Sequence, residues 1–339
     1  MQMAGAMASR SERGLGPRNK APVFVLGCPR SGTTLLYHML LSSGNFAVYR
    51  AESNVLNLLE PRFGKLSVPG NKRRLLDAWY RTRLYTRSGL ERHEIEPSIM
   101  AECGNGGDFL RMVMEAIARK QGVERWADTT PEHLLYLLRI KETIPDALII
   151  HIIRDGRDVA LSMDRQKYVR RLPGDHKPSV MASGLYWEWM VRKGREAGRR
   201  LGNSYTEIHF EELVSQPRET LAQLSEFIEE GLDYDRIQEA GIGSVREPNT
   251  SFATDEELSP VGRWKTGYSP GDLAAFESLV GTTLVELGYE LGAENRDLLH
   301  RPDLRGMRAM YKMYFDTKLF LKSKTPLGRW LVTKDLSWV

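Results

Sequence analysis

The sequence predicts an α/β fold: a P-loop-type central parallel sheet with helices on both faces, a helical insert and a C-terminal helical tail. Three observations carry that expectation. Short apolar, β-branched runs alternate with helical stretches, as βαβ units require. Those runs end in polar or glycine-bearing turns, where parallel sheets gather their ligands. Between the first run and the first helix, Gly27 and Gly32 are separated by four residues, which is the spacing of a P-loop.

Taken in order, PVFVLG (22–27) reads as a buried strand and TTLLYHMLLSS as the helix after it. A second strand is expected at 46–49, with Glu52 just past its end. An irregular helical insert covers about 60–122. RWADTT is a short strand ending in polar residues, and PEHLLYLLRIKETI is a helix with proline near its first turn. DALIIHII is the central strand, followed by the turn RDGRD and a helix. SYTEIHF is the last strand, and EELVSQPRETLAQLSEFIEE reads as a loop and then a helix. The expected division is a lead-in over 1–20, one α/β domain over 21–295, and a basic, aromatic extension over 296–339.

The 339 residues are 41% apolar and 27% charged, proportions of a soluble globular chain that exclude collagen-like and wholly disordered proteins. Two cysteines, Cys28 and Cys103, cannot build a disulfide framework, which argues for a reducing compartment or no redox dependence, and the expected location is cytoplasmic. The longest apolar run, around 147–153, is far short of the ~20 residues that cross a bilayer. A net charge of +4 suits anionic ligands, and no nucleic-acid-binding signature is present. The first twenty residues lack an apolar stretch and read as a disordered lead-in, with a transit peptide as the lesser alternative.

The loop Gly27-Cys28-Pro29-Arg30-Ser31-Gly32-Thr33-Thr34 departs from a nucleotide triphosphatase where Thr33 stands in place of lysine. Backbone amides and a helix N-terminus still form an anion nest. The cation has moved into the loop as Arg30, whose planar guanidinium suits an oxyanion. A ligand-free turn is the alternative, but the hydroxyls of Ser31, Thr33 and Thr34 exceed what a turn requires. After the central strand, IIRDGRDVALS places Arg154 at the strand end, Asp158 as a helix cap and Ser162 near the first turn, a second anion site. Alone, Arg154, Asp155, Arg157 and Asp158 would equally make a surface ion-pair cluster of little value. At adjacent strand ends, the two loops suit a nucleotide with separate 5′ and 3′ anionic groups better than ATP.

PRSGTTLL followed about 120 residues later by RDGRDVALS resembles the sulfotransferases that use 3′-phosphoadenosine 5′-phosphosulfate (PAPS). The similarity is to the branch related to tyrosylprotein sulfotransferases and bacterial enzymes. It runs over about 22–292 and includes RWADTTPEH, IHFEELVSQP and VGRWKTGYS. The resemblance implies that Arg30, Ser31, Gly32, Thr33 and Thr34 hold the 5′-phosphosulfate, and Arg154 and Ser162 the 3′-phosphate. It further implies a late basic loop over the cofactor, matched by Arg263, Trp264 and Lys265; the lesser alternative for Trp264 is a core aromatic flanked by solvated cations.

Sulfuryl transfer spreads negative charge over equatorial oxygens in a loose, in-line transition state, so cationic donors and positioning dominate. Arg30 is the expected catalytic cation. No metal is expected, and the sequence has no HxxxH, CxxC or acidic triplet at ligand spacing. Glu52, followed by Ser53, is the expected general base for an acceptor hydroxyl, with a one-residue shift from the family's spacing; His133 is the rival. Three departures stand out. Thr129 replaces a lysine that relatives often carry, Phe210 replaces a tyrosine, and the arginine after the helix serine falls one position early at Arg165.

Between Arg62 and Arg92 there are nine Lys or Arg against Asp77 and Glu91, with Trp79, Tyr80 and Tyr85 interleaved. This predicts either aromatic faces near the acceptor or a solvated amphipathic helix. The tail MRAMYKMYFDTKLFLKSKTPLGRW is expected to dock on the body, with subunit pairing or an anionic membrane surface as alternatives. The overall expectation is a PAPS-dependent sulfotransferase acting on a hydroxyl. Its rivals are a non-catalytic nucleotide-binding protein, which Thr129 keeps open, and a P-loop kinase, which the missing lysine disfavours.

Overall fold

The computed structural model describes residues 17–246, 260–293 and 302–331. Four strands form one sheet: β1 (Val23–Leu26), β2 (Ala127–Asp128), β3 (Leu148–Ile153) and β4 (Tyr205–His209). Their order is β2-β1-β3-β4 and every pairing is parallel, with Leu26 opposite His151 and Ile153 opposite His209. All residues of β1 and β3 are buried, as expected of central strands covered on both faces. One apolar cluster packs on each face. Phe24, Leu26, Ile149 and Ile153 meet the insert and the helix Ser179–Gly198, while Val23, Val25, Ile150 and Ile152 meet the helices Thr33–Ser42 and Pro217–Ile228.

Residues 46–49 do not form the strand expected of them. Phe46 makes a single parallel bridge to Arg125. The side chain of Gln121 then takes both backbone groups of Val48, accepting from its N–H at 2.7 Å and donating to its carbonyl at 3.0 Å. The Tyr49 carbonyl accepts from the Tyr37 hydroxyl at 2.5 Å. Side chains have replaced the ladder partners, and the segment bends toward the site instead of extending the sheet. The helix expected after RWADTT is a 3-10 helix, Pro131–Tyr136, continued as an α-helix, Leu137–Thr143.

The insert is built from the helices Pro69–Trp79, Arg83–Ser88, Arg92–Glu102 and Gly106–Gln121. Trp79 and Tyr80 are buried, and Trp79 meets Phe109 edge-on at 5.5 Å. The expectation that these aromatics face an acceptor is therefore corrected: they are the insert's own core. Of the lead-in, Arg18–Lys20 forms a 3-10 turn, and Arg18 donates to the carbonyls of Phe227 and Asn203; residues 1–16 lie outside the described residues. The C-terminal helix Pro302–Lys324 docks on the body by burying Leu304, Met307, Tyr311 and Phe315, a helical stripe worth roughly 1.5–3 kcal/mol per large side chain. Among the described residues no helix is long and apolar enough to cross a membrane.

Candidate active site

The loop 27–34 joins β1 to the helix Thr33–Ser42 at the carboxyl edge of the sheet. Two glycines make its path possible. A side chain at Gly27 would meet the Ile152 carbonyl at 2.5 Å. Gly32 caps the helix at φ +93°, and a Cβ there would lie 2.2 Å from the Phe210 ring. The first-turn amides have no carbonyl behind them and open toward the strand ends. Ser31 and Thr33 are buried, whereas Thr34 is exposed.

Arg30 leaves this loop with a left-handed backbone, φ +74°, and its Nε donates to Ser162 Oγ at 2.9 Å. The guanidinium thus reaches the second loop instead of covering only its own. Arg154, at the end of β3, completes the crossing by donating from Nη1 to the Arg30 carbonyl at 3.0 Å and from Nη2 to the Pro260 carbonyl. Its guanidinium lies 4.5 Å over the Phe210 ring. Phe210 is thus wedged between Arg154 and Gly32, which gives the ring a packing role without a hydroxyl. Burial, then the charge of Arg263, lowers the pKa of Arg30. Burial also lowers that of Arg154; Asp158 and Glu211 oppose the shift, while Arg263 and Arg30 add to it. Three like charges from three loops converge here, an arrangement that a bound anion relieves.

The four charges of RDGRD divide into two roles that the sequence did not separate, and all four are buried. Arg157 is structural, paired with Asp155 at 2.7 Å and Glu277 at 2.7 Å. Asp155, not Asp158, caps the helix Gly156–Arg165, accepting from the Arg157 amide. Asp158 accepts instead from the amides of Gly262 and Trp264 at 2.9 and 2.8 Å, fastening the late loop over the site with Arg263 between them. Trp264 stacks on Arg157 at 3.6 Å and anchors that loop; Lys265 is exposed beside it. Arg165 lies at the far end of its helix and is exposed.

Glu52 sits on the turn beyond residue 49 and is exposed, with its carbonyl accepting from Asn54 Nδ2 at 3.0 Å. Ser53 Oγ lies 3.2 Å from Thr130 Oγ1, which also accepts from the Asn54 amide. His133, the rival base, is buried with both ring nitrogens in use. Nε2 accepts from the Leu56 amide at 3.2 Å, so Nδ1 carries the proton and donates to Asp128 at 2.9 Å. Burial pushes the Asp128 carboxyl up, but His133, Ser53 and the Thr130 amide outweigh it and hold the pKa below its usual value. This pair fastens the turn carrying Glu52 to the end of β2 and leaves no nitrogen for a substrate proton. The sequence signal for it was Asp128 and His133 five residues apart across a proline turn.

Three buried polar atoms at these strand ends have no hydrogen-bond partner among the described residues: Ser31 Oγ, Thr129 Oγ1 and Arg154 Nε. Buried groups of this kind are costly unless something binds them. Two hydroxyls and a guanidinium nitrogen form a donor set that fits the phosphate and sulfate oxygens of PAPS.

Fold and loop together define a phosphate-loop α/β protein with a basic site at the carboxyl edge of its sheet. Residues 22–235 match the Sulfotransferase family, and the chain belongs to it. It is 24% identical over 296 residues to protein-tyrosine sulfotransferase A of Caenorhabditis elegans, covering 84% of this chain and 71% of that protein. It is 22% identical to protein-tyrosine sulfotransferase of Drosophila melanogaster, covering 79% of this chain but 51% of the fly protein. In fold it is similar to the sulfotransferase domain of the Synechococcus PCC 7002 olefin synthase. That likeness has a TM-score of 0.55 at 18% identity and covers 84% of this chain and 99% of that domain. The sulfotransferase domain of the curacin biosynthetic pathway gives a TM-score of 0.52 at 18% identity, covering 80% and 99%.

Proposed function

We propose that this sulfotransferase takes its sulfuryl group from PAPS and delivers it to a hydroxyl. The observation that carries the reading is the meeting of Arg30, Arg154 and Arg263 beside the unpartnered Ser31 Oγ, Thr129 Oγ1 and Arg154 Nε. The first-turn amides, Arg30, Ser31, Gly32, Thr33 and Thr34 hold the 5′ end. Arg154 and Ser162 hold the 3′-phosphate, and Arg263 with Trp264 and Lys265 covers it. PAPS supplies an activated sulfuryl group on a phosphate leaving group. Arg30 and the loop donors stabilise charge that builds on the transferring oxygens, and Thr129 offers a hydroxyl where relatives use lysine. Glu52 takes the proton of the acceptor hydroxyl; a positioned base of this kind contributes roughly 10²–10⁴-fold. Cys28 and Cys103, both buried and unpaired, support a reducing, cytoplasmic setting.

Two measurements test this reading. The product nucleotide, 3′-phosphoadenosine 5′-phosphate (PAP), should raise the unfolding temperature where magnesium-ATP does not. A radiolabelled-sulfate screen over phenols, sugars, lipids and peptides should yield a labelled product. Stabilisation by magnesium-ATP in place of PAP would favour a kinase, and PAP binding without transfer to any acceptor would favour a non-catalytic nucleotide-binding protein.

A further inference from the structure

A cleft of about 600 Å³ opens between the 3-10 helix Pro131–Tyr136 and the C-terminal helix Pro302–Lys324. One face of that helix forms a wall, with Phe315, Lys318, Leu319 and Lys322 spaced one turn apart. This wall lies beyond the residues 22–235 that match the family. The facing wall is aromatic: Tyr168, Tyr186 and Trp189 run ring to ring, with successive centroids 6.0 and 5.7 Å apart, and Trp189 meets Phe315 of the helix at 5.3 Å.

Hydrogen bonds tie the cleft to the proposed base. The Tyr168 hydroxyl donates to Glu132 Oε1 at 3.3 Å, and Asn57 Nδ2 joins Glu132 Oε2 at 2.5 Å to Asn54 Oδ1 at 3.0 Å. Asn54 in turn donates to the Glu52 carbonyl. Desolvation, and after it the Glu132 carboxylate beside the hydroxyl, raises the pKa of Tyr168, although the residue keeps 42% of its surface exposed. Arg170, Lys318 and Lys322 line the cleft, and Glu132, which lines it too, accepts from Asn57 and Tyr168.

We infer that this cleft is the acceptor subsite, and that it selects a hydroxylated acceptor with a flat or ring-shaped body and an anionic group. The ring lies against the aromatic wall, the anion meets Lys318, Lys322 and Arg170, and the hydroxyl is left toward Glu52. The inference rests on the sulfotransferase reading and adds the acceptor's chemical class. It also makes the C-terminal helix a specificity element of the site, not only a docked support.

The test compares two probes that differ in one carboxylate, 4-nitrophenyl β-glucuronide and 4-nitrophenyl β-glucoside, titrated into PAP-saturated protein by calorimetry. The glucuronide should bind about tenfold more tightly, the range of one or two partly exposed charge-assisted contacts. Lys318→Ala combined with Lys322→Ala should erase that preference while PAP affinity and unfolding temperature stay unchanged, and Lys318→Arg with Lys322→Arg should retain it. Equal binding of the two probes, or a preference that survives the double alanine variant, overturns the assignment. Failure of PAP to bind the unaltered protein would bring down the nucleotide reading, and this inference with it. PAP binding without glucuronide preference would bring down the cleft assignment alone.

Discussion

Arg30 and Ser162, 132 residues apart in sequence, are joined by a 2.9 Å hydrogen bond that closes the phosphate loop onto the loop after β3. The bond makes one continuous basic floor of what the sequence presents as two anion sites. Ser162→Ala should weaken PAP binding about tenfold, as expected for loss of a hydroxyl shared by a guanidinium and an anion. Calorimetry reads the effect, and unchanged affinity would remove Ser162 from the nucleotide site.

Arg154 is held by backbone carbonyls on both Nη atoms while Nε stays unpartnered, so it is aimed before any ligand arrives. Arg154→Ala should cost roughly 1.5–3 kcal/mol of PAP affinity, and Arg154→Lys should not restore it, because lysine lacks the planar fork. Rescue by lysine would show that charge alone suffices.

The base assignment separates Glu52 from His133 by two different readouts. Glu52→Gln should preserve PAP affinity and lower kcat by about 10²-fold or more. His133→Phe should instead lower the unfolding temperature, since it leaves the Leu56 amide without its acceptor and takes one donor from the buried Asp128 carboxylate, at a cost of about 1–3 kcal/mol. A Glu52→Gln enzyme with full turnover would move the base elsewhere.

Much of this site was legible in the sequence because its parts are local. A strand, a glycine turn and a helix start within a dozen residues, so Arg30 through Thr34 and Arg154 through Ser162 announce themselves by spacing. What was not legible depends on distant partners. Nothing near residues 46–49 says that Gln121 will take the backbone of Val48 in place of a strand. Nothing in RDGRD says that Glu277 claims Arg157 while the late loop claims Asp158. Trp79 looked like a surface aromatic among arginines because its partner, Phe109, lies thirty residues on in another helix.

His151, within β3, carries a pH signature. Its Nδ1 donates to the Tyr205 hydroxyl at 2.7 Å, Nε2 has no partner, and burial lowers its pKa from 6.5 to about 4. The unfolded chain therefore binds a proton that the folded chain refuses. Stability from this group is complete above about pH 6.5 and is lost as pH falls toward 4, by roughly 3 kcal/mol in all. Urea unfolding across that window should show a shallower decline in His151→Gln than in the unaltered protein. Parallel declines would mean that His151 is not the group responsible.

The measurement closest to the central claim is the binding of PAP set against adenosine 5′-phosphate, which lacks only the 3′-phosphate. If Arg154, Ser162 and the loop carrying Arg263 receive that group, PAP should bind about 100-fold more tightly, the worth of two charge-assisted contacts, and Arg154→Ala should erase most of the difference. Equal affinity for the two nucleotides in the unaltered protein would contradict the account.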